Sequence, residues 1–244
     1  MVEKIPIAIL GATGSVGQKF IELLVDHPWF EIVSLCASER SVGKSYAEAA
    51  SWFQSTPLPA NIAQMVVQPC EPSCAGRIAF SGLDAEVAGE IEETFARAGY
   101  AVVSNSKNHR MDDDVPLLVP EVNPEHIDWI TRQAYAPGMI ITNPNCTTVG
   151  LVMALKPLVD AFGVEAVSVV TMQALSGAGY PGVSSLDIVD NVIPYIGGEE
   201  AKMESEPPLF LRTMSLLLEL RISFSKALWT ASEEHGAFGR QISI

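Results

Sequence analysis

The sequence predicts an α/β protein whose N-terminal part is a parallel sheet wound with helices, followed by a second, α+β part. Two observations carry the first half. Short apolar runs alternate with segments of helical spacing from residue 5 to about residue 158, and the first of these runs passes through a glycine turn directly into a helix. A third observation carries the second half. Val164 to Leu175 alternates apolar and small polar residues for longer than any earlier strand, as an antiparallel sheet with one covered face does.

Taken in order, Ile5 to Leu10 is a β-branched strand, Gly11 to Gly17 the turn, and Phe20, Ile21, Leu23, Leu24 and Val25 recur near helical spacing. Phe30 to Ala37 reads as a second strand, followed by a loop with Ser38, Glu39, Arg40, Ser41, Gly43 and Lys44. Arg77 to Ser81, the helical Ala85 to Ala98 and the strand Ala101 to Ser104 continue the alternation. Asn123 followed by Pro124 predicts a helix start, since Asn caps well and Pro fits the first turn. Met139 to Thr142 is a further strand, ending in Asn143 to Thr148 and a helix to about Leu158. Ser176 to Gly182 reads as a loop. The expected domains are residues 1–146 and 147–244.

Among the 244 residues, 15 Lys and Arg face 29 Asp and Glu, giving a net charge of −14, while 48% are apolar and 18% charged. A disordered chain would be poorer in apolar residues, so this one folds around a core. The acidic balance argues against nucleic acid, whose binding begins with Lys and Arg on phosphates. Four cysteines, at 36, 70, 74 and 146, are too sparse for a disulfide scaffold. Cys70 and Cys74 have no second pair to complete a zinc site, so no metal is expected and these two, with Cys36 in a strand, read as buried thiols. No stretch approaches membrane-spanning length and the N-terminus has no secretory pattern, so a soluble, cytoplasmic protein is expected.

Three segments carry chemistry. In a strand-turn-helix the first glycine permits the tight turn, later ones let backbone approach closely, and free N–H groups at the helix start receive a pyrophosphate. Gly11, Gly14 and Gly17, with Thr13, Ser15 and Val16 between them, have the spacing G-x-x-G-x-x-G at the head of a βαβ series and point to a Rossmann-type dinucleotide-binding domain. After the second strand, where an NAD enzyme places an acid on the ribose diol, this chain has Ser38, Arg40, Ser41 and Lys44. Hydroxyls with cations suit a 2′-phosphate, so NADP is favoured over NAD. Glu39 keeps open the reading of a merely solvated loop. Cys146, at a strand end and a helix start beside Asn145 and Thr147, is a candidate nucleophile because that position favours the thiolate.

The runs Gly11 to Gly17, Ala37 to Ser41, Ser104 to Arg110, Val115 to Asn123, Asn143 to Thr148, Gln173 to Gly177 and Gly198 to Lys202, in this order and spacing, resemble aspartate-semialdehyde dehydrogenase, most of all its archaeal and fungal branch. The resemblance implies reversible NADP-dependent reductive dephosphorylation of aspartyl 4-phosphate to aspartate 4-semialdehyde, in lysine, threonine and methionine biosynthesis. It implies Cys146 as the thioacyl-forming nucleophile and Gln173 as the residue orienting the acyl group. It further implies Arg110 and Asn145 at the substrate phosphate, Glu199 and Lys202 (spaced E-x-x-K) on substrate amino and phosphate groups, and Ser81, Ser176 and Gly177 at the cofactor. The implied fold is a dinucleotide-binding domain followed by an incomplete catalytic and dimerisation domain, and the implied assembly a homodimer or homotetramer. Two rival readings use the same residues: a malonyl- or succinyl-CoA reductase acting on a thioester, and a noncatalytic NADP-binding remnant.

The resemblance stops at about residue 206. It would supply an Arg-Val-Pro-Val segment and then Gly-His, whose Arg holds substrate carboxylate and whose His is the acid/base. Phe224 to Ile244 does not match, and His235 precedes a glycine instead of following one. The abrupt end favours a truncated or frame-shifted C-terminal part, so this chain is expected to be impaired in turnover. His27 and His126, next to helix ends, have no chemical neighbours in the sequence, and His109 is expected at best behind the residues that touch the ligands; none is assigned a catalytic role.

Overall fold

A computed structural model of the protein describes residues 3–164, 167–178 and 182–211. The chain divides after Pro144 into two compact units.

The first unit is built on six strands: β1 (Ile5–Leu10), β2 (Phe30–Ala37), β3 (Gln68–Pro69), β4 (Ile78–Ser81), β5 (Ala101–Ser104) and β6 (Met139–Thr142). All pair in parallel, in the order β3-β2-β1-β4-β5-β6. Helices α1 (Ser15–Leu24) and α4 (Ala85–Arg97) are the long connections, and the short helices α2 (Tyr46–Ala49) and α3 (Ala60–Ala63) lie between β2 and β3. Successive residues of β1 face opposite sides of the sheet. Ile7 and Ile9 pack with Ile21 and Leu24 of α1, whereas Ala8 and Leu10 pack with Phe95 and Ala96 of α4. Both faces are therefore covered, as a parallel sheet requires, and this is why its strands read as unbroken apolar runs.

Strand order reverses between β1 and β4. Leu10 stands opposite Cys36 of β2 and Ser81 of β4, so three strands end at one level beside that reversal. The crevice at such a switch point is where ligands of this architecture bind. The dipeptide strand β3 escapes a propensity argument because Pro69 is a poor strand residue, and it is tolerated at the sheet edge.

The structure corrects the reading of Asn123. Its side chain makes no cap bond. Instead its Oδ1 accepts from the Val119 N–H and its Nδ2 donates to the Leu117 carbonyl, each at 2.8 Å. A fully buried Asn must satisfy both ends of its amide, and the preceding loop offers partners for both. The helix after it, Pro124–Arg132, is of the 3-10 type. Of the three cysteines read as buried thiols, Cys36 and Cys74 are buried and Cys70 is half-buried. Cys36 is the penultimate residue of β2, and its thiol is hydrogen-bonded to that of Cys74. Cys70 donates to the Ala37 carbonyl at 3.7 Å.

In the second unit, α5 (Cys146–Phe162) is followed by α6 (Ser185–Ile188), α7 (Glu199–Ser205) and α8 (Pro207–Phe210). Thr148, Val152, Leu155 and Val159 recur on one buried face of α5, and α7 and α8 pack against this helix. Met203, Phe210 and Leu211 are buried in the same unit. The helix runs four residues past the expected Leu158 and continues through Pro157, ending where Gly163 takes φ +70°. The strand expected over Val164 to Leu175 is also corrected. Residues 167–174 form no strand, and Leu175–Ala178 is a 3-10 turn. Alternation only marks a face to be covered, and a strand also needs a partner to bond. Among the described residues that partner is missing, and Val170 and Met172 stand 81% and 97% exposed.

Candidate active site

The glycine turn after β1 is shaped by two contacts. Gly11 has φ +73°, and a Cβ there would lie 2.7 Å from the Gly82 carbonyl oxygen at the end of β4. A Cβ on Gly17 would lie 2.2 Å from the Gly11 oxygen, so α1 packs against the turn as only glycine allows. Gly14 caps α1 without a side chain, and the first turn contains no acid. The N–H groups of Ser15 and Val16 thus have no side-chain cap, and the positive helix end is not neutralised. That combination fits a pyrophosphate. Thr13 is fixed from behind, where the fully buried Gln18 donates to its carbonyl at 3.1 Å and to that of Ser51 at 3.0 Å. Tyr46 donates to the Ala12 carbonyl at 2.7 Å. Sequence reading missed both braces, although a glutamine on the apolar stripe of α1 was a usable signal.

The loop after β2 lies next to this turn, because the Ala12 N–H donates to the Cys36 carbonyl at 2.9 Å. Ser38 and Arg40 are exposed and Ser41 is buried. Lys44 Nζ donates to the Arg40 carbonyl at 2.7 Å, so the ammonium closes its own loop while the Arg40 side chain points into solvent.

Ser81, at the end of β4, is fully buried and donates to Glu92 Oε1 at 2.6 Å. Arg110 is buried, and its Nη2 donates to the Asn105 carbonyl at 2.9 Å. Asn143 Nδ2 donates to Asn105 Oδ1 at 3.0 Å, so Asn105 is held from two sides.

The second unit gathers the other candidates. Cys146 is the first residue of α5 and is exposed. Asn145 caps that helix, its Oδ1 accepting from the Thr147 N–H at 2.9 Å. Its Nδ2 donates to both Glu199 oxygens, at 3.3 and 3.2 Å, and its backbone N–H donates to Glu206 Oε2 at 2.7 Å. Gln173 Nε2 donates to Thr147 Oγ1 and to Glu199 Oε2, each at 3.1 Å, and Lys202 Nζ donates to Glu199 Oε1 at 2.6 Å. Burial pushes the Glu199 carboxyl up, but the bonds from Lys202, Gln173 and Asn145 outweigh it and hold the group below the ordinary carboxylate range. A cleft of about 450 Å³ is lined by Cys146, Thr147, Gly150, Gln173 and Gly177, among others. Gly177 stands beside Gln173 in this wall, where a Cβ would make only an ordinary contact, 3.6 Å from Gln173 Oε1. Ser176 belongs to the same turn, but its side chain lies outside the described part of the structure. Glu206 carried no sequence signal, since a buried acid beyond the E-x-x-K pair looks like any helix-end residue.

An exposed thiol at a helix start, in a cleft it shares with Gln173, is a candidate nucleophile. The first unit is a parallel α/β sheet of the nucleotide-binding kind, so fold and site together define a class: a dinucleotide-binding domain followed by a unit that exposes a cysteine at a helix start. The family described as "Semialdehyde dehydrogenase, NAD binding domain" matches residues 6–130, and "Semialdehyde dehydrogenase, dimerisation domain" matches residues 155–214. The aspartate-semialdehyde dehydrogenase of Candida albicans is 56% identical over 211 residues, covering 81% of this chain and 58% of that protein. That of Archaeoglobus fulgidus is 53% identical, covering 82% and 60%. The solved Candida albicans enzyme with NADP superposes with a TM-score of 0.79 at 51% identity, covering 86% of this chain and 60% of that one. The chain belongs to the aspartate-semialdehyde dehydrogenase family, and it spans about three-fifths of the length of these relatives. Among the described residues no helix is long and apolar enough to cross a membrane.

Proposed function

We propose that the protein carries the NADP-dependent reductive dephosphorylation of L-aspartyl 4-phosphate to L-aspartate 4-semialdehyde, in the cytoplasm and as a homodimer or homotetramer. The observation that carries this reading is Cys146 at the start of α5, sharing one cleft with Gln173. Residues 1–146 serve as the NADP-binding domain and 147–244 as the catalytic and dimerisation part. The relative solved with NADP supports the cofactor, as do the glycine cradle and the exposed Arg40.

The Cys146 thiolate attacks the substrate's C4 carbonyl carbon, the bond from that carbon to the phosphate oxygen breaks, and phosphate leaves a thioacyl group on sulfur. Arg110, Asn145 and Lys202 are assigned to the phosphate, Glu199 to the substrate ammonium and Gln173 to the acyl oxygen. NADPH, when bound, supplies hydride to the acyl carbon. Collapse of the resulting thiohemiacetal returns the Cys146 thiolate and frees the aldehyde. Gly11, Thr13, Gly14, Ser15 and Val16 are assigned to the pyrophosphate, Ser38, Arg40 and Ser41 to the 2′-phosphate, and Ser81, Ser176 and Gly177 to the remainder of the cofactor. His235 is given no part; it lies outside the described residues.

The test is a pair of measurements on wild type and Cys146→Ala. NADPH titration should give binding in both. Mixing with aspartyl phosphate should release stoichiometric phosphate only where the thiol is present. Equal phosphate release from the alanine variant would refute the assignment of the nucleophile.

A further inference from the structure

Glu92 is fully buried in α4, outside every sequence motif of the site, and it accepts two serine hydroxyls on one oxygen. Ser81 Oγ donates to Oε1 at 2.6 Å and Ser104 Oγ donates to the same atom at 2.7 Å. These serines end β4 and β5 and stand opposite one another in the sheet. The other oxygen, Oε2, has no hydrogen bond and lies 3.8 Å from His109 Nε2. His109 in turn meets Asp112 through Nδ1 at 2.8 Å and the Gly89 carbonyl through Nε2 at 3.4 Å.

The consequences run outward along backbone. Ser104 Oγ also accepts the Ser106 N–H at 3.0 Å, and the Asn105 N–H donates to the Ser81 carbonyl at 2.9 Å. Asn105 then presents its carbonyl to Arg110. One carboxylate oxygen thus fixes the hydroxyl of a residue assigned to the cofactor and the first link of the loop that carries a residue assigned to the phosphate. Burying a carboxyl against an apolar core is costly, and leaving one of its oxygens without a hydrogen bond adds to that cost. Ala88, Phe95 and Val102 nearby show that an apolar side chain would be at home in this layer. Placing both serines is what the carboxyl does that such a side chain could not.

We propose that Glu92 is a positioning residue, which through Ser81 and Ser104 sets the cofactor-side wall and the loop 104–112 bearing Arg110. The ligand half of this inference rests on the proposed roles of Ser81 and Arg110; the loop half does not.

Three forms of the full chain separate the possibilities: wild type, Glu92→Gln and Glu92→Leu. Leu keeps the volume and removes both acceptors, whereas Gln keeps an acceptor at Oε1. Amide exchange by mass spectrometry reads the loop without any ligand, and NADPH titration reads the cofactor wall. In Glu92→Leu the 104–112 peptides should lose protection at least tenfold while peptides of β1 and α1 keep theirs, and the NADPH Kd should rise about tenfold, the loss of one well-placed hydrogen bond. Glu92→Gln should restore both to within about threefold of wild type. Wild-type loop protection and affinity in the Leu variant would overturn the proposal, as would a Gln variant as impaired as Leu or a loss of protection spread evenly over the chain. Loop loosening in the Leu variant together with no NADPH binding by wild type would instead overturn the cofactor reading and leave the positioning role standing. Ser104→Ala, which removes one arm of the hub, should loosen the loop while the Ser81 bond survives.

Discussion

Cys146 and Cys74 differ above all in access. The hydrogen bond from Cys36 draws the Cys74 thiol down to about 7, despite the opposing effect of burial, but Cys74 is only 6% exposed. Cys146 is exposed at a helix start. Access decides the competition, because a reagent cannot reach a thiolate inside the core. Limited iodoacetamide treatment followed by peptide mapping should therefore label Cys146 first, with Cys36 and Cys74 modified only after unfolding. Earlier labelling of Cys74 would mean that the core opens there readily. Arg40 makes a second prediction at this scale. Arg40 is exposed, and in the proposed cofactor site its guanidinium would make a charge-assisted bond to the 2′-phosphate, a kind of bond that contributes about 1.5–3 kcal/mol. Arg40→Ala should weaken NADPH tenfold or more and leave NADH nearly unchanged, as read by paired titrations.

Helix starts organise the chemistry at the next scale. Helix α1 begins without a side-chain cap and packs on the Gly11 turn through Gly17. Gly17→Ala would drive a methyl into backbone that cannot step aside, and overpacking of this kind costs about 1–3 kcal/mol. Denaturant unfolding should show that loss together with weaker NADPH binding; unchanged values would mean that the turn is more pliant than its contacts suggest. Helix α5 begins in the opposite way, with Asn145 bonded forward to Thr147, across to Glu199 and through its backbone to Glu206. Asn145→Ala removes the cap, at about 0.5–2 kcal/mol. It should also slow alkylation of Cys146 relative to a surface thiol standard, since the turn carrying the sulfur frays.

On the scale of the whole molecule, two buried or half-buried carboxyls respond to pH with opposite signs, one in each unit. Burial raises Glu92, against the pull of Ser81, Ser104 and His109. A raised carboxyl favours folding while protonated, so its contribution is present below the ordinary Glu range, about 4.3, and is lost as pH rises through the raised value. Glu199 is lowered, so its contribution is present above that range and is lost as pH falls through the lowered value. Thermal unfolding between about pH 3 and 7 should show Glu92→Gln relatively most stabilised at the upper end and Glu199→Gln relatively most destabilised there. The same slope in both variants would contradict the environments described.

Strands β1, β2, β4, β5 and β6 were legible because each packs apolar residues into the core and reads as a short, mostly apolar run. The glycine turn was legible because only glycine fits its φ and its contacts. Cys146 was legible because a thiol between Asn145 and Thr147 at a strand-to-helix junction is a local pattern. Other features depend on residues far apart in the chain. Asn123 turns back to Leu117 and Val119, Glu92 meets Ser81 and Ser104, Glu206 receives the Asn145 N–H, and Val164 to Leu175 holds no ladder among the described residues. The sequence by itself determined most of the strands, the glycine turn and the long helices of the first unit and marked Cys146 as a candidate nucleophile, since periodicity and backbone sterics act over a few residues. Only the tertiary structure decided which buried polar groups hold those parts in place. A hydrogen bond is specified by position in space, and the chain brings its two ends together only when it folds.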